Sequence, residues 1–243
     1  PYTDNPTVRN PERGYIANWN NRAARGWISS DLWTYTWSRA DRTTLLFDAL
    51  EGGGEADGGH SIASVKNINR QISYADVNAP FLLPYLFKAW ENTETSAEQS
   101  LALAQLQAWD GQWSVDADGE YGPLPALMET WLRGLLETVF ADDIGEAFFH
   151  LYAATNYPNK PLGPSMGTPP GLKALVRNLD RLAGGDWSGA DHDFFNGEDP
   201  GDVLRRSFRS ALDTLSAAQG PDLTQWRLPA APMQWQPFNF RGV

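Results

Sequence analysis

Asn10-Pro11-Glu12-Arg13-Gly14-Tyr15-Ile16-Ala17-Asn18-Trp19-Asn20-Asn21 sets three amides around an indole where an extended run should end. Tyr15, Ile16 and Ala17 read as part of a short strand over 14–19, since aromatic and β-branched residues suit a half-buried pleated surface. Asn and Gly gather wherever a chain turns, so local geometry is one explanation of the amides. A second is chemical: a carboxamide held at a strand end donates a hydrogen bond to an oxyanion as charge develops on it.

The following residues, from Ser29, predict a helix to Leu50. Ser29 or Ser30 supplies the N-cap, Asp31 sits in the first turn opposite the positive end of the dipole, and Gly52-Gly53-Gly54 closes the run. In a continuous helix Asp31, Tyr35, Ser38 and Arg42, spaced four, three and four apart, share one face. Each also has an ordinary role. Asp31 as a first-turn acid contributes about 0.3–1 kcal/mol. Arg42 as a surface partner of Asp41 or Asp48 contributes about 0–1 kcal/mol. Tyr35, among Trp33, Trp37 and Phe47, suits a core as well as a substrate wall.

The amide-rich run, followed without a gap by Ser30-Asp31-Leu32 and Ala40-Asp41-Arg42, resembles a segment of the β subunit of the penicillin G acylase family, which are N-terminal-nucleophile hydrolases. Three signals at fixed spacing are more specific than one. The resemblance implies an α+β fold, in which this chain is the mostly helical segment of a four-layered αββα enzyme. Residues 1–243 would be an internal part of the β subunit, with no separate domain boundary. By the family pattern Asn20 matches the oxyanion-stabilising amide, Asp31 a ligand of a structural calcium ion, and Arg42 an arginine close to the reactive centre. Tyr35 becomes a candidate substrate contact on the helix face it shares with Asp31 and Arg42. Asn18 and Asn21 are then expected to bond to backbone around the strand end.

The chain departs from that pattern at its first residue. An N-terminal nucleophile attacks through the side chain of residue 1 with its own α-amino group as base, and Pro1 has no such side chain. The expectation is therefore a partner segment beginning with Ser, and no activity from these 243 residues alone. The substrate implied is a small amide, either a β-lactam side-chain amide or another N-acyl amide such as an acyl-homoserine lactone. A different class, a non-catalytic helical module stacking sugars on its tryptophans, is the rival reading of the eleven Trp. Their placement in apolar helical patterns favours a core instead.

Composition narrows the partners. A formal charge of −11 opposes nucleic acid, whose phosphates need clustered Lys and Arg. No apolar stretch approaches the roughly 18 residues of a membrane span. Without Cys there is no disulfide, thiolate metal site or cysteine nucleophile in this segment. Export to the periplasm or beyond is implied by the resemblance alone.

Further helices are predicted over 61–73, 76–90, 101–109, from Pro123 onward, 146–154, 170–182 and 200–218. Ile62, Val65, Ile68 or Asn69, and Ile72 form the expected stripe of the first, and Thr95 with Glu98 a capping box ahead of the third. A second strand is expected within 233–240. The carboxylates from Asp191 to Asp202 read as a solvated acidic loop. Asp116-Ala117-Asp118-Gly119-Glu120 fails as a calcium loop, since Tyr121 stands where Gly is needed. His60, His150 and His192 lie on separate segments and support neither zinc nor a catalytic triad.

Overall fold

The computed structural model describes residues 6–19, 21, 24, 40, 42–54, 59–149, 170–183 and 192–230, with side chains of the segment 170–183 described over 171–180. Local punctuation explains most helix ends. Ser61 caps α2 (Ile62–Tyr74), its hydroxyl oxygen accepting from the Ser64 amide at 3.2 Å. Pro123 opens α5 (Pro123–Ile144), where its missing N–H costs no helical bond, and Gly145 at φ 74° ends it. Asp199 caps α8 (Pro200–Gln219) through a 3.1 Å bond from the Asp202 amide. The remaining described α-helices are α1 (Thr43–Gly52), α3 (Ala79–Trp90), α4 (Ala97–Ala108), α6 (Glu146–Phe148) and α7 (Pro170–Ala183), with a 3-10 turn at Leu223–Gln225.

The core lies where α5 and α8 pack together, with α3 against α8 and α7 against α5 and α3. On α8, Leu204, Phe208, Leu212 and Leu215 recur at helical spacing and are all buried, as the sequence predicts. Phe208 meets Trp131 of α5 edge-on at 5.8 Å and Trp90 of α3 at 6.4 Å. Burying one such side chain stabilises by about 1.5–3 kcal/mol. The Trp131 indole N–H donates to Ser207 Oγ at 3.0 Å, and that hydroxyl donates to the Leu204 carbonyl, so the polar edge of the ring is satisfied inside the contact. Trp90, Trp113, Trp131 and Trp226 are all buried. These four are core residues, as expected, and not a sugar-stacking surface.

Two short strands, β1 (Glu120–Tyr121) and β2 (Leu228–Pro229), pair antiparallel with Tyr121 opposite Leu228. Just before β2, Gln219 treats residue 227 as a strand neighbour would: its Oε1 accepts from the Arg227 amide at 2.7 Å and its Nε2 donates to the Arg227 carbonyl at 2.9 Å. Beneath β1, Trp113 packs edge-on against Tyr121 at 5.0 Å and donates its indole N–H to the buried carboxylate of Asp76 at 2.9 Å. Asp76 also accepts from the Asn78 and Ala79 amides at 2.7 and 2.8 Å, fixing the start of α3. The chain is thus mostly helical with a small sheet, compatible with the expected α+β class.

Several expectations need correction. Residues 14–19 form no strand pairing among the described residues; Tyr15 instead packs against Phe47 of α1 at 6.3 Å, and its hydroxyl donates to Glu51 at 3.2 Å. A single helix from Ser29 to Leu50 is also not found, because Ala40 is not helical and α1 begins at Thr43. The apolar stripe of α2 does not face a core: Ile68 is buried, whereas Ile62 is 78% exposed. Ile68 lies against Gly53, where a Cβ would come within 2.6 Å of the Ala49 carbonyl and 3.1 Å of Ile68, so glycine permits the close approach of α1 and α2. The capping box of α4 is shifted by one residue, from Thr95 and Glu98 to Ser96 and Gln99. The helix expected over 146–154 is the three-residue α6 as far as it is described, and the strand expected within 233–240 lies outside the described residues.

Candidate functional site around Trp19 and Arg42

Of the four residues singled out from the sequence, Arg42 lies among the described residues, while Asn20, Asp31 and Tyr35 lie outside them. Arg42 occupies the N-cap position of α1 with helical backbone angles. It does not sit four residues along an unbroken helix from Ser38, because Ala40 interrupts that run. The shared face expected for Asp31, Tyr35 and Arg42 on one continuous helix is therefore corrected.

What Arg42 reaches is the amide-rich run. Its Nε donates to the Trp19 carbonyl at 3.3 Å, and its guanidinium carbon lies 4.9 Å from the centre of the Trp19 ring. A cation over an indole face is attracted by the ring quadrupole by about 0.5–1 kcal/mol at exposed sites and more when desolvated. The Trp19 amide in turn donates to Asn21 Oδ1 at 3.0 Å. Asn21 thus bonds to backbone as expected. Trp19 itself carries three engaged groups, a role the sequence did not single out; the signal was an indole set between asparagines.

The flanking residues secure the same segment to α1. The Arg13 guanidinium lies 5.0 Å from the Phe47 ring and 5.7 Å from that of Tyr15. Desolvation, with a smaller contribution from the Glu51 carboxylate, raises the Tyr15 hydroxyl above its ordinary pKa. Gly14, at φ 76°, closes the turn with its amide on the Pro11 carbonyl at 2.9 Å. Arg13 and Arg42 thus join the run at two points to the beginning and the middle of one helix.

The other clusters resolve into structural bonds. In the acidic loop, the Asp193 carboxylate accepts from the Phe195 and Gly197 amides, and Glu198 pairs with Arg206 at 2.6 and 3.0 Å. That hydrogen bond from Arg206 holds the Glu198 carboxyl below its usual range. Asp116 closes its own turn by accepting from the Asp118 and Glu120 amides, and meets Arg227 at 3.4 Å. His60 contacts the Leu50 carbonyl and His192 contacts Asp143, while His150 lies outside the described residues. Among the described residues no group of three or more His, Cys, Asp or Glu is placed to hold a metal ion. No described helix is long and apolar enough to cross a membrane.

Comparison with known proteins bears on the whole chain. The family model for penicillin amidase matches residues 1–238. Penicillin G acylase of Escherichia coli is 29% identical over 249 residues, an alignment that takes in 100% of this chain and 28% of that protein. Among solved structures, a thermostable penicillin G acylase from Alcaligenes faecalis matches with a TM-score of 0.77 at 27% identity, covering 91% of this chain and 39% of that one. The chain thus spans well under half the length of these relatives. With a family match over nearly its full length and a fold shared with a solved acylase, the chain belongs to the penicillin amidase family.

Proposed function

We propose that this chain is part of an N-terminal-nucleophile amide hydrolase of αββα architecture, in which Asn20 donates to the tetrahedral oxyanion and Arg42 holds the backbone that carries it. The observation that supports this reading most is the bond from Arg42 Nε to the Trp19 carbonyl, 23 residues away in sequence and one peptide before Asn20. The nucleophile is the Oγ of an N-terminal Ser on a segment beyond these 243 residues. Its proton passes to its own α-amino group as Oγ bonds to the amide carbon. Collapse of the adduct releases the amine, which carries that proton away, and water then hydrolyses the acyl ester. Loss of one oxyanion donor raises such a barrier by about 2.7–4 kcal/mol.

The substrate is a small N-acyl amide, with Tyr35 a candidate contact for it. Asp31 belongs to this reading as one ligand of a structural calcium ion. The described residues bring no group of acids together, so the other oxygens would come from elsewhere, and no chemical step passes through the metal. The calcium dependence of thermal unfolding in Asp31→Ala tests that assignment. Export follows from the same reading and is checked by cell fractionation.

The test of the activity uses the full-length polypeptide. N-terminal sequencing of purified active material should find a second segment beginning with Ser. Asn20→Ala should then reduce turnover of a chromogenic N-acyl anilide on the order of 10²–10³-fold with KM little changed. Undiminished turnover in Asn20→Ala, or amide hydrolysis by the pure 243-residue chain alone, overturns the reading.

A further inference from the structure

We propose that Asn21 is a positioning residue that holds Asn20 in register, an inference resting on the hydrolase reading given above. Trp19 is held by both polar groups of its backbone: its N–H donates to Asn21 Oδ1 at 3.0 Å, and its carbonyl accepts from Arg42 Nε at 3.3 Å. Its ring lies 4.9 Å from the Arg42 guanidinium carbon. Because a peptide unit is planar, fixing the Trp19 carbonyl fixes the plane that enters Asn20. The Asn21 side chain reaches back over two residues to the Trp19 amide, closing a ring that contains the whole Asn20 backbone. That ring ties the Trp19 amide to the Asn21 side chain and so restrains the chain between them. Trp19 and Asn21 are both partly buried, so water competes only in part for the bond.

An oxyanion donor must be aimed before charge develops, and a displacement of about 1 Å can cost as much as ~10²-fold in rate. Arg42 holds that backbone at the Trp19 carbonyl. The return bond to Asn21 holds it at the Trp19 amide as well. A purely structural turn amide would instead affect stability and leave the reaction unchanged.

The experiment is a double-mutant cycle in the full-length acylase polypeptide, measured with a chromogenic N-acyl anilide. Asn21→Ala is expected to lower kcat about tenfold with KM within about twofold, a partial misplacement by the measure above. Asn21→Asp, which keeps the acceptor oxygen, should recover most of that loss. In an Asn20→Ala background the same Asn21→Ala change should alter kcat by less than about twofold, because residues acting as a unit are not additive. Site-resolved hydrogen exchange should show faster exchange of the Trp19 amide in Asn21→Ala and protection restored in Asn21→Asp. Should Asn21→Ala not fold, Asn21→Leu, similar in volume and without an acceptor, replaces it in the cycle.

Full kcat in Asn21→Ala, or an equal loss with and without Asn20, overturns the positioning role. A loss that Asn21→Asp does not recover, with the Trp19 amide protected again, does so as well. If Asn20→Ala alone keeps full turnover, the hydrolase reading fails, while the exchange of the Trp19 amide still reports separately on the bond from Asn21.

Discussion

Asp76 is a buried acid, and its environment sets opposing demands on its proton. Burial pushes the carboxyl above the ordinary aspartate range, against the amides of Ala79 and Asn78 and the Trp113 indole, each of which favours the ionised form. The folded chain therefore retains a proton at pH values where the unfolded chain has released it. Between the unfolded and the folded pKa stability falls as pH rises, and above the folded pKa this contribution is level. Asp76→Asn cannot ionise, so its stability relative to the parent should improve as pH rises through that window. Urea unfolding of both proteins across a pH series checks the sign, and parallel curves would refute it. Asp76→Ala should be worse at every pH, by on the order of 3 kcal/mol, because three buried N–H groups lose their acceptor.

At the same scale, the candidate site was legible only in part. The asparagines around Trp19 announced an amide able to donate, and family spacing selected Asn20 and Arg42. The grip of Arg42 on Trp19 was not legible. A contact between residues 23 positions apart leaves no periodic trace in sequence, and an indole between polar residues reads first as a packing group.

Among the elements, α8 shows how one glycine decides the fate of a cap. Gly→Ala at a helix position ordinarily stabilises by about 0.5–1 kcal/mol. At Gly201 a Cβ would come within 2.8 Å of Asp199 Oδ1, the oxygen that accepts from the Asp202 amide, and within 3.4 Å of Arg205 Nη1. Arg205 in turn donates to the Ala89 carbonyl in the last turn of α3, so the crowding falls on a junction of two helices. Gly201→Ala is therefore expected to destabilise by about 1 kcal/mol, close to the loss of the cap itself. Chemical denaturation of Gly201→Ala beside Asp199→Ala provides the check, and a stabilised Gly201→Ala would show that the cap yields at little cost.

Helices were the readable elements because their signals are local. The α8 stripe, Pro123 at the head of α5 and Asp199 at the head of α8 all lie within a turn or two of what they determine. The errors share the opposite character. Tyr15-Ile16-Ala17 has strand composition, but a strand requires a partner ladder, and here the run is held by side chains on α1. Ile62 and Val65 have helical spacing, but which face of α2 is covered depends on α1 and Gly53, elements elsewhere in the chain. The α4 cap slipped by one residue because Thr95-Ser96 offers two hydroxyls and Glu98-Gln99 two acceptors, and the pattern fits either pair.

For the molecule as a whole, most of the enzyme proposed lies beyond the segment in hand, which covers 28% of the Escherichia coli relative. The calcium site proposed for Asp31 is what would most depend on the rest, since the ion takes six to eight oxygens and a single aspartate supplies at most two. In the full-length protein Asp31→Ala should lower the melting temperature and abolish its rise on calcium addition. A ligand binding only the folded state contributes about 2.7 kcal/mol at a hundred times its Kd. Equal calcium sensitivity in parent and variant would return Asp31 to its dipole role at a helix start.

The pairing of Gln219 with Arg227 bears on how the molecule keeps to itself. A two-stranded ladder ordinarily leaves an outer row of amides and carbonyls that another chain can extend, the first step of edge-to-edge aggregation. On the outer side of β2, residue 227 has its N–H and its carbonyl both occupied by the Gln219 carboxamide, and residue 229 is proline, with no N–H to offer. An incoming strand finds neither a donor at 229 nor a vacant position at 227. One glutamine side chain thus blocks that edge of the small sheet and denies a template for intermolecular β-growth along it.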